Sequence, residues 1–292
     1  MKLDDRIKEY EKEYEKKVPT DFHIMIRIDG RKFSKFTKGF KKPFDFILSE
    51  AMRKTTIDLM REFSAITGYT QSDEITLLIP SLKDNTIDNR EEESHKLDKR
   101  VKREWKHIYN GRVMKIASLI SSYTSIRFNN YLMELLKEVP KNEENKDYIK
   151  IVSKKIGKAY FDARVFGVPE EDEVLNTFLF RTRDAEKNSK SIFAQAFVKH
   201  KELQNLNGNE QIKLCKEKTG EDWNQLPKRY KYGIFIKRDE VETDIPDEYK
   251  KFHNNRSKKV KRVKFSSFYF KLNYSKKNIN FIMSKYTNAK TE

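Results

Sequence analysis

Residues 22–30 read Phe-His-Ile-Met-Ile-Arg-Ile-Asp-Gly. Phe22, Ile24, Ile26 and Ile28 alternate with His23, Met25 and Arg27, the period-two pattern of a half-buried strand. Asp29-Gly30 ends the run, and a basic loop follows with Lys38, Gly39, Lys41, Lys42 and Pro43. Residues 44–63 then place Phe44, Leu48, Ala51, Met52, Leu59, Met60 and Phe63 at helical spacing. Residues 64–79 read as two strands joined at the polar turn Gln71-Ser72-Asp73. A helix is predicted over 110–136, carried by Ile116, Leu119, Ile120, Tyr123, Ile126 and Tyr131, and another strand over 159–168. Pro169 and the acidic run behind it suit a helix N-terminus. That helix and a successor carry Phe178, Leu179, Phe193, Ala194, Ala196 and Phe197.

Strand, helix, strand, strand, helix, strand is the split βαβ order. The expected fold is α+β: a split βαβ, ferredoxin-like antiparallel sheet with helices on one face, plus additional helical elements. The other face is expected to stay free for a ligand. Residues 1–240 are assigned to one domain built on this sheet. Within it, 81–109 is dense in both charge signs and poor in large apolar residues, as in an exposed insertion. Residues 241–292 form a basic C-terminal extension in this reading, with Lys258, Lys259, Lys261 and Arg262 among Phe265, Phe268 and Tyr269.

The bulk composition points to a polyanionic partner. Lys plus Arg is 62 against 45 Asp plus Glu, a formal net charge of +17, and cations released from phosphates drive such binding. A biased genome rich in Lys, Asn and Ile gives the same balance, so charge alone decides nothing. No run of about 18 apolar residues exists to span a membrane, and the charged N-terminus resembles an exposed helix, not a signal peptide. The single Cys215 allows no intrachain disulfide and no cysteine cluster for zinc. A soluble, cytoplasmic protein is expected.

In a split βαβ sheet the first and third strands are antiparallel neighbours, so Asp29 and the Asp73-Glu74 pair would meet at one edge. Clustered carboxylates repel unless a cation compensates them. Magnesium, which prefers oxygen ligands and substrate phosphates, is the natural choice, and two such ions can clamp an in-line phosphoryl displacement. Taken singly, Asp-Gly and Ser-Asp-Glu are ordinary turn sequences. Arg27, Lys38, Lys41 and Lys42 surround the first carboxylate in sequence, and Arg112 and Lys115 share one helix face, where they could hold a triphosphate.

Arg27-Ile-Asp-Gly-Arg-Lys-Phe33, Gly39-Phe-Lys-Lys-Pro43 and Gly68-Tyr-Thr-Gln-Ser-Asp-Glu74 together resemble the tRNA-His guanylyltransferase family. Phe161-Asp-Ala-Arg-Val165 and Tyr230-Lys-Tyr-Gly233 are similar to that family's later motifs, and the match runs over roughly residues 20–238. The resemblance implies a palm-like domain that extends RNA in the 3′ to 5′ direction: ATP, or GTP, activates a tRNA 5′ end, and an incoming GTP is then added. It implies catalytic roles for Asp29, Asp73 and Glu74, with two Mg²⁺ ions on Asp29, Asp73 and the Gly30 carbonyl. It implies nucleotide contacts from Arg27, Gly30, Arg31, Lys32, Phe33, Lys42, Ser72, Arg112, Lys115 and Asn188, and a homotetramer. Members dedicated to tRNA-His carry His-Ile-Asn-Asn where this chain has Glu186-Lys187-Asn188-Ser189. That departure is more similar to the bacterial and phage branch and favours tRNA 5′-end repair over strict addition of one G. Two other classes are a palm-type nucleotide cyclase, whose active turn is not matched, and a non-enzymatic RNA-binding sheet. The latter normally displays aromatics where this strand offers Met25, Arg27 and Asp29.

Overall fold

A computed structural model describes residues 2–82, 107–244 and 259–287. Most of the 81–109 insertion, residues 83–106, lies outside the described residues. After an exposed N-terminal helix, α1 (Leu3–Glu13), the first half of the palm runs β1 (His23–Gly30), the short α2 (Phe33–Phe36), α3 (Phe46–Glu62), β2 (Thr67–Gln71) and β3 (Glu74–Ile79). It continues with α4 (Val113–Lys137), α5 (Glu143–Ser153) and β4 (Phe161–Val168). The rest comprises α6 (Glu171–Phe197), α7 (His200–Leu203), α8 (Gly208–Thr219), α9 (Lys228–Tyr232), β5 (Ile234–Asp244), β6 (Lys259–Phe268), α10 (Lys276–Met283) and β7 (Tyr286–Thr287).

The main path of the sheet orders its strands β4-β1-β3-β2-β5-β6. Its first four strands are the split βαβ arrangement, with β1 antiparallel to both β3 and β4. Alternation explains its main layer. Ile24, Ile26, Ile28, Ile75, Leu77 and Ile79 point to one face and pack against Met52, Leu59, Ile116, Ile120 and Phe128 of α3 and α4. Asp45 caps α3 by accepting the Leu48 N–H at 2.9 Å, which fixes where that helix starts.

The opposite face is not left free as the sequence suggested. Met25, Leu78, Tyr69 and Phe235 make it apolar along half its length, and α6 covers them with Val174, Leu175, Phe178 and Leu179. A sheet apolar on both faces needs a second layer. What stays open is the Asp29 end and the outer strand β4, where Asp162, Arg164 and Phe166 are exposed. The predicted helix after Pro169 and its successor are one helix, and Phe193 and Ala194 at its far end join Leu203, Cys215 and Trp223 in a separate small core. The boundary drawn at 240 falls inside β5; β6 pairs along β5, and Ile282 and Met283 of α10 enter the α6-side core.

Candidate active site

Strand pairing builds the site from the sequence outward. In the β1 register Asp29 lies opposite Glu74 on β3 and opposite Asp162 on β4. Residues paired across antiparallel strands share a face, so three carboxylates form one row across three strands. Two residues up the strand, Arg27 lies opposite Arg164, and a guanidinium row stands beside the carboxylate row. Asp73 completes the cluster from the two-residue turn between β2 and β3. Thr70 Oγ1 closes that turn on the Glu74 carbonyl at 2.9 Å, and Ser72 sits there with a left-handed φ of 54°. Non-glycine residues in that region cost about 1 kcal/mol or more and concentrate at functional sites.

The four acids are not equivalent. Glu74 is neutralised twice: Arg27 Nη2 donates to its Oε1 at 2.6 Å, and the buried Arg181 of α6 reaches its Oε2 at 3.3 Å. Asp73 has no such partner among the described residues. Burial pushes its carboxyl up to about 6; the Ser72 hydroxyl, which donates to it, pulls the other way, and the charges of Asp29 and Glu74 raise it further. Asp29 is also raised, first by burial and then by Glu74, with Asp162 adding and Arg27 and Arg164 opposing. The two carboxylates therefore feel each other, and both favour losing their charge or gaining a cation.

Among the described residues no three His, Cys, Asp or Glu side chains gather into a complete cage for an ion. The donor set still fits magnesium, which is commonly held by one or two carboxylates and fills its shell with water and substrate phosphate oxygens. Gly30 stands beside Asp29, and a Cβ there would lie 2.3 Å from the Phe33 ring, so the strand end is closed to any larger residue.

The remaining sequence candidates divide by place. Arg31 and Lys32 are exposed just past Gly30, and Lys32 has a φ of 55°. The Phe33 ring is buried against Phe36, Phe128 and Phe161, which leaves only its backbone for a ligand. Lys42 lies in a loop fastened to Asp45, whose Oδ2 accepts the Lys41 N–H at 2.9 Å and the Tyr148 hydroxyl at 2.8 Å. Phe44 of that loop stacks on Tyr230. The Tyr230 carbonyl accepts from Gln71 Nε2 at 3.2 Å and Ser189 Oγ at 2.6 Å. Through its ring and its carbonyl, Tyr230 links the Lys42 loop, the Ser72-Asp73 hairpin and the turn of α6 that bears the exposed Asn188.

Arg112 and Lys115 are not brought to this end. Gly111 and Val113 are hydrogen-bonded to Val18 and Lys16, and Val18 abuts Gly167, which is opposite Ile24. Phe128 of the same helix packs on Phe161 at the carboxylate end. At 1.5 Å per residue the intervening stretch of α4 measures about 20 Å. Arg112 instead pairs with Glu15 at 3.1 Å, and Lys115 lies 5.8 Å from the centre of the Tyr109 ring. Their separation follows from α4 running the full length of the sheet, so residues at its two ends cannot serve one edge.

The sequence reading missed Asp162, Arg164 and Arg181 as site residues. Asp162 and Arg164 alternate on β4 and fall beside Asp29 and Arg27 once 161–168 is laid antiparallel to 23–30. Arg181 had no such signal, because its contact depends on α6 crossing the face expected to be open.

Carboxylates converging at one end of a split βαβ sheet, flanked by guanidinium groups, define a nucleotidyltransferase of the palm class. Residues 4–169 match the family model described as Thg1: tRNAHis guanylyltransferase, and the chain belongs to that family. Thg1-family nucleotidyltransferases are generally metal-dependent. Over 287 residues the chain is 33% identical to an uncharacterized protein of Acanthamoeba polyphaga mimivirus, covering 97% of this chain and 90% of the viral one. It is 24% identical to the tRNA(His) guanylyltransferase of Debaryomyces hansenii, covering 87% and 88%. A solved bacterial Thg1-like protein in complex with ATP matches with a TM-score of 0.65 and 33% identity, over 81% of this chain and 88% of that one. The same kind of protein in complex with GTP matches at 0.60 and 30%, over 91% and 90%. No helix among the described residues is long and apolar enough to cross a membrane.

Proposed function

We propose that this chain is a two-metal 3′–5′ nucleotidyltransferase that repairs tRNA 5′ ends, using ATP or GTP for activation and adding G or other nucleotides. The observation that carries this reading is the convergence of Asp29 and Asp73 at one sheet end, where Asp29 lies opposite Glu74, the neighbour of Asp73. Two Mg²⁺ ions would be held by these carboxylates and the Gly30 carbonyl, and when bound would clamp phosphate oxygens and offset charge at the reacting phosphorus. The 5′-phosphate oxygen of the RNA attacks the α-phosphorus of ATP and displaces pyrophosphate. The 3′-hydroxyl of the incoming GTP then attacks that 5′ phosphorus and displaces AMP. Arg27 and Arg181 fix Glu74 and keep positive charge where triphosphate oxygens arrive. Ser72 orients the Asp73 carboxylate, and Lys42 and Asn188 stand on the segments joined through Tyr230, within the neighbourhood a nucleotide would occupy.

A specific feature favours repair over single-G addition. Glu186, at the place of the dedicated enzymes' His, is held by Lys190 and Lys271, each at 2.8 Å. Ser189, at the place of their second Asn, is occupied by Tyr230 and Trp223. Neither position is free to reproduce the His-Ile-Asn-Asn contacts. The bacterial relatives, whose descriptions name bound ATP and GTP, support both nucleotides as substrates. A homotetramer is the proposed assembly, measured by sedimentation equilibrium.

The deciding assay supplies 5′-monophosphorylated tRNA-His and 5′-truncated tRNAs with ATP, labelled GTP and Mg²⁺. Magnesium-dependent label on the truncated tRNAs is expected. No label on any RNA overturns the reading, and label on tRNA-His alone moves it to strict guanylylation.

A further inference from the structure

Just beyond the carboxylate row, two lysine-rich segments meet. Residues 31–44 contain Arg31, Lys32, Lys35, Lys38, Lys41 and Lys42, and residues 148–161 contain Lys150, Lys154, Lys155 and Lys158; neither run holds an Asp or Glu. The fold presses the two runs together. The Arg31 N–H donates to the Tyr160 carbonyl at 2.8 Å, and Lys155 Nζ donates to the Lys35 carbonyl at 3.3 Å and to that of Phe36. Lys155 also stands over the Phe36 and Phe40 rings.

The second run is held rigidly. Asn129 of α4 accepts the Gly157 N–H at 2.8 Å and donates to the Ala159 carbonyl at 3.0 Å. Gly157, with a φ of +78°, makes the bend that turns Lys158 outward. Lys35, Lys38 and Lys158 are exposed and pair with no described carboxylate. Besides its burial, Lys155 has its proton affinity lowered by the ammonium groups of Lys158 and Lys38, a repulsion that an arriving anion would relieve. A structural need for these charges is hard to find, because only Lys155 of the four makes contacts that hold the fold.

We infer that the shelf formed by Lys35, Lys38, Lys155 and Lys158 is the track for the phosphodiester backbone of the RNA as it leaves the reacting 5′ end. The position fits the chain's own topology: one segment of the shelf leaves the sheet at Gly30 and the other enters it at Phe161, which are partners on neighbouring strands. Tyr160, 60% exposed, stands at the junction and offers a ring for stacking a terminal base. The inference rests on the proposed RNA substrate, and its test separates the two.

The experiment compares the full-length chain with Lys35→Ala/Lys38→Ala/Lys158→Ala and with a charge-matched control, Lys8→Ala/Lys12→Ala/Lys213→Ala. Binding of 5′-monophosphorylated tRNA is measured across a salt series, and GTP binding is measured separately by equilibrium dialysis without RNA. The shelf variant is expected to bind RNA about 10- to 100-fold more weakly, and its log Kd against log salt slope to fall by about 2 to 3, near 0.9 per lost phosphate contact. GTP binding should be unchanged. A slope equal to that of the control overturns the shelf even if the wild-type chain extends RNA. Weakened GTP binding with intact RNA binding would show that these lysines hold the nucleotide's phosphates and also overturns it. If the shelf variant loses RNA affinity while the wild-type chain extends no 5′ end, the shelf stands and the catalytic proposal falls.

Discussion

The two ends of β1 are built on opposite terms. At the His23 end most polar groups find partners within the fold: His23 Nδ1 accepts the Ser81 N–H at 3.0 Å, and His107 Nε2 lies 3.1 Å from the carbonyls of Pro19 and Phe22, with only its Nδ1 buried unpaired among these ring nitrogens. At the Asp29 end carboxylates are lined up against one another and one of them, Asp73, is half-buried with no Lys or Arg paired to it among the described residues. A chain that ties neutral polar groups together at one end and lines carboxylates against one another at the other has placed stability and chemistry in different parts of one sheet. Such conflicts are costly and persist where function requires them.

The largest effect that would break this contrast is on catalysis. Asp29→Asn or Asp73→Asn should lower nucleotide addition by about a thousandfold or more, since either change removes half of the proposed metal-binding pair. The same variants should fold, as circular dichroism would show. Retained activity in both would remove the carboxylates from the mechanism.

Glu74→Gln probes the neutral part of the cluster. Arg181, whose side chain is only 7% exposed, would keep its charge and lose the Glu74 carboxylate, leaving it only the more distant Asp184 at 3.5 Å. A loss of about 1 kcal/mol in urea unfolding is expected, because a buried guanidinium is left with one long ion pair in place of two. Replacing Asp73 should do the reverse. Its folded carboxyl, near 6, lies above the ordinary value of 3.8. The folded chain therefore holds a proton that the unfolded chain releases between these values. Stability from this group is present below about pH 4 and is lost as pH rises through 6. Metal-free wild-type protein should gain about 1 to 2 kcal/mol between pH 7 and pH 4 from this group alone, and Asp73→Asn should lack that component. A Mg²⁺ titration should show the matching dependence, with affinity falling as pH drops through 6.

Much of this contrast was legible in the sequence. Period-two alternation in 22–28 and 74–79, joined by a helical run, fixes the central strands, and two strands that must pair antiparallel bring Asp29 and Asp73 together. The reading failed where a contact depends on layering. Met25 and Leu78 were visible as apolar residues on the second face, yet nothing local says which helix covers them, so Arg181 and its hold on Glu74 went unseen. The tail was misjudged for a related reason: Lys-rich composition hid the alternation of Phe235, Lys237 and Phe268, Ser266 in a hairpin that belongs to the sheet. Lys237 is fully buried and donates to the Thr67 hydroxyl at 2.7 Å and the Ile282 carbonyl at 3.2 Å. A lysine count cannot distinguish such a residue from a surface one.

The smallest expected effect is also the sharpest discriminator between the ends. Arg112→Ala removes an exposed pair with Glu15 and should change stability by no more than about 0.5 kcal/mol. If each chain binds GTP with its own residues, GTP affinity should stay within about twofold, because α4 holds Arg112 at the far end of the sheet, about 20 Å from the carboxylates. A fall of tenfold or more, about 1.4 kcal/mol, would require the guanidinium to come from another copy. Mixing subunits then decides the matter: a hybrid of Arg112→Ala chains with catalytically dead Asp73→Asn chains would recover activity only if one copy's Arg112 serves another's carboxylates. Recovery would make the two ends of the sheet halves of one site across an interface, and its absence would leave the His23 end purely structural.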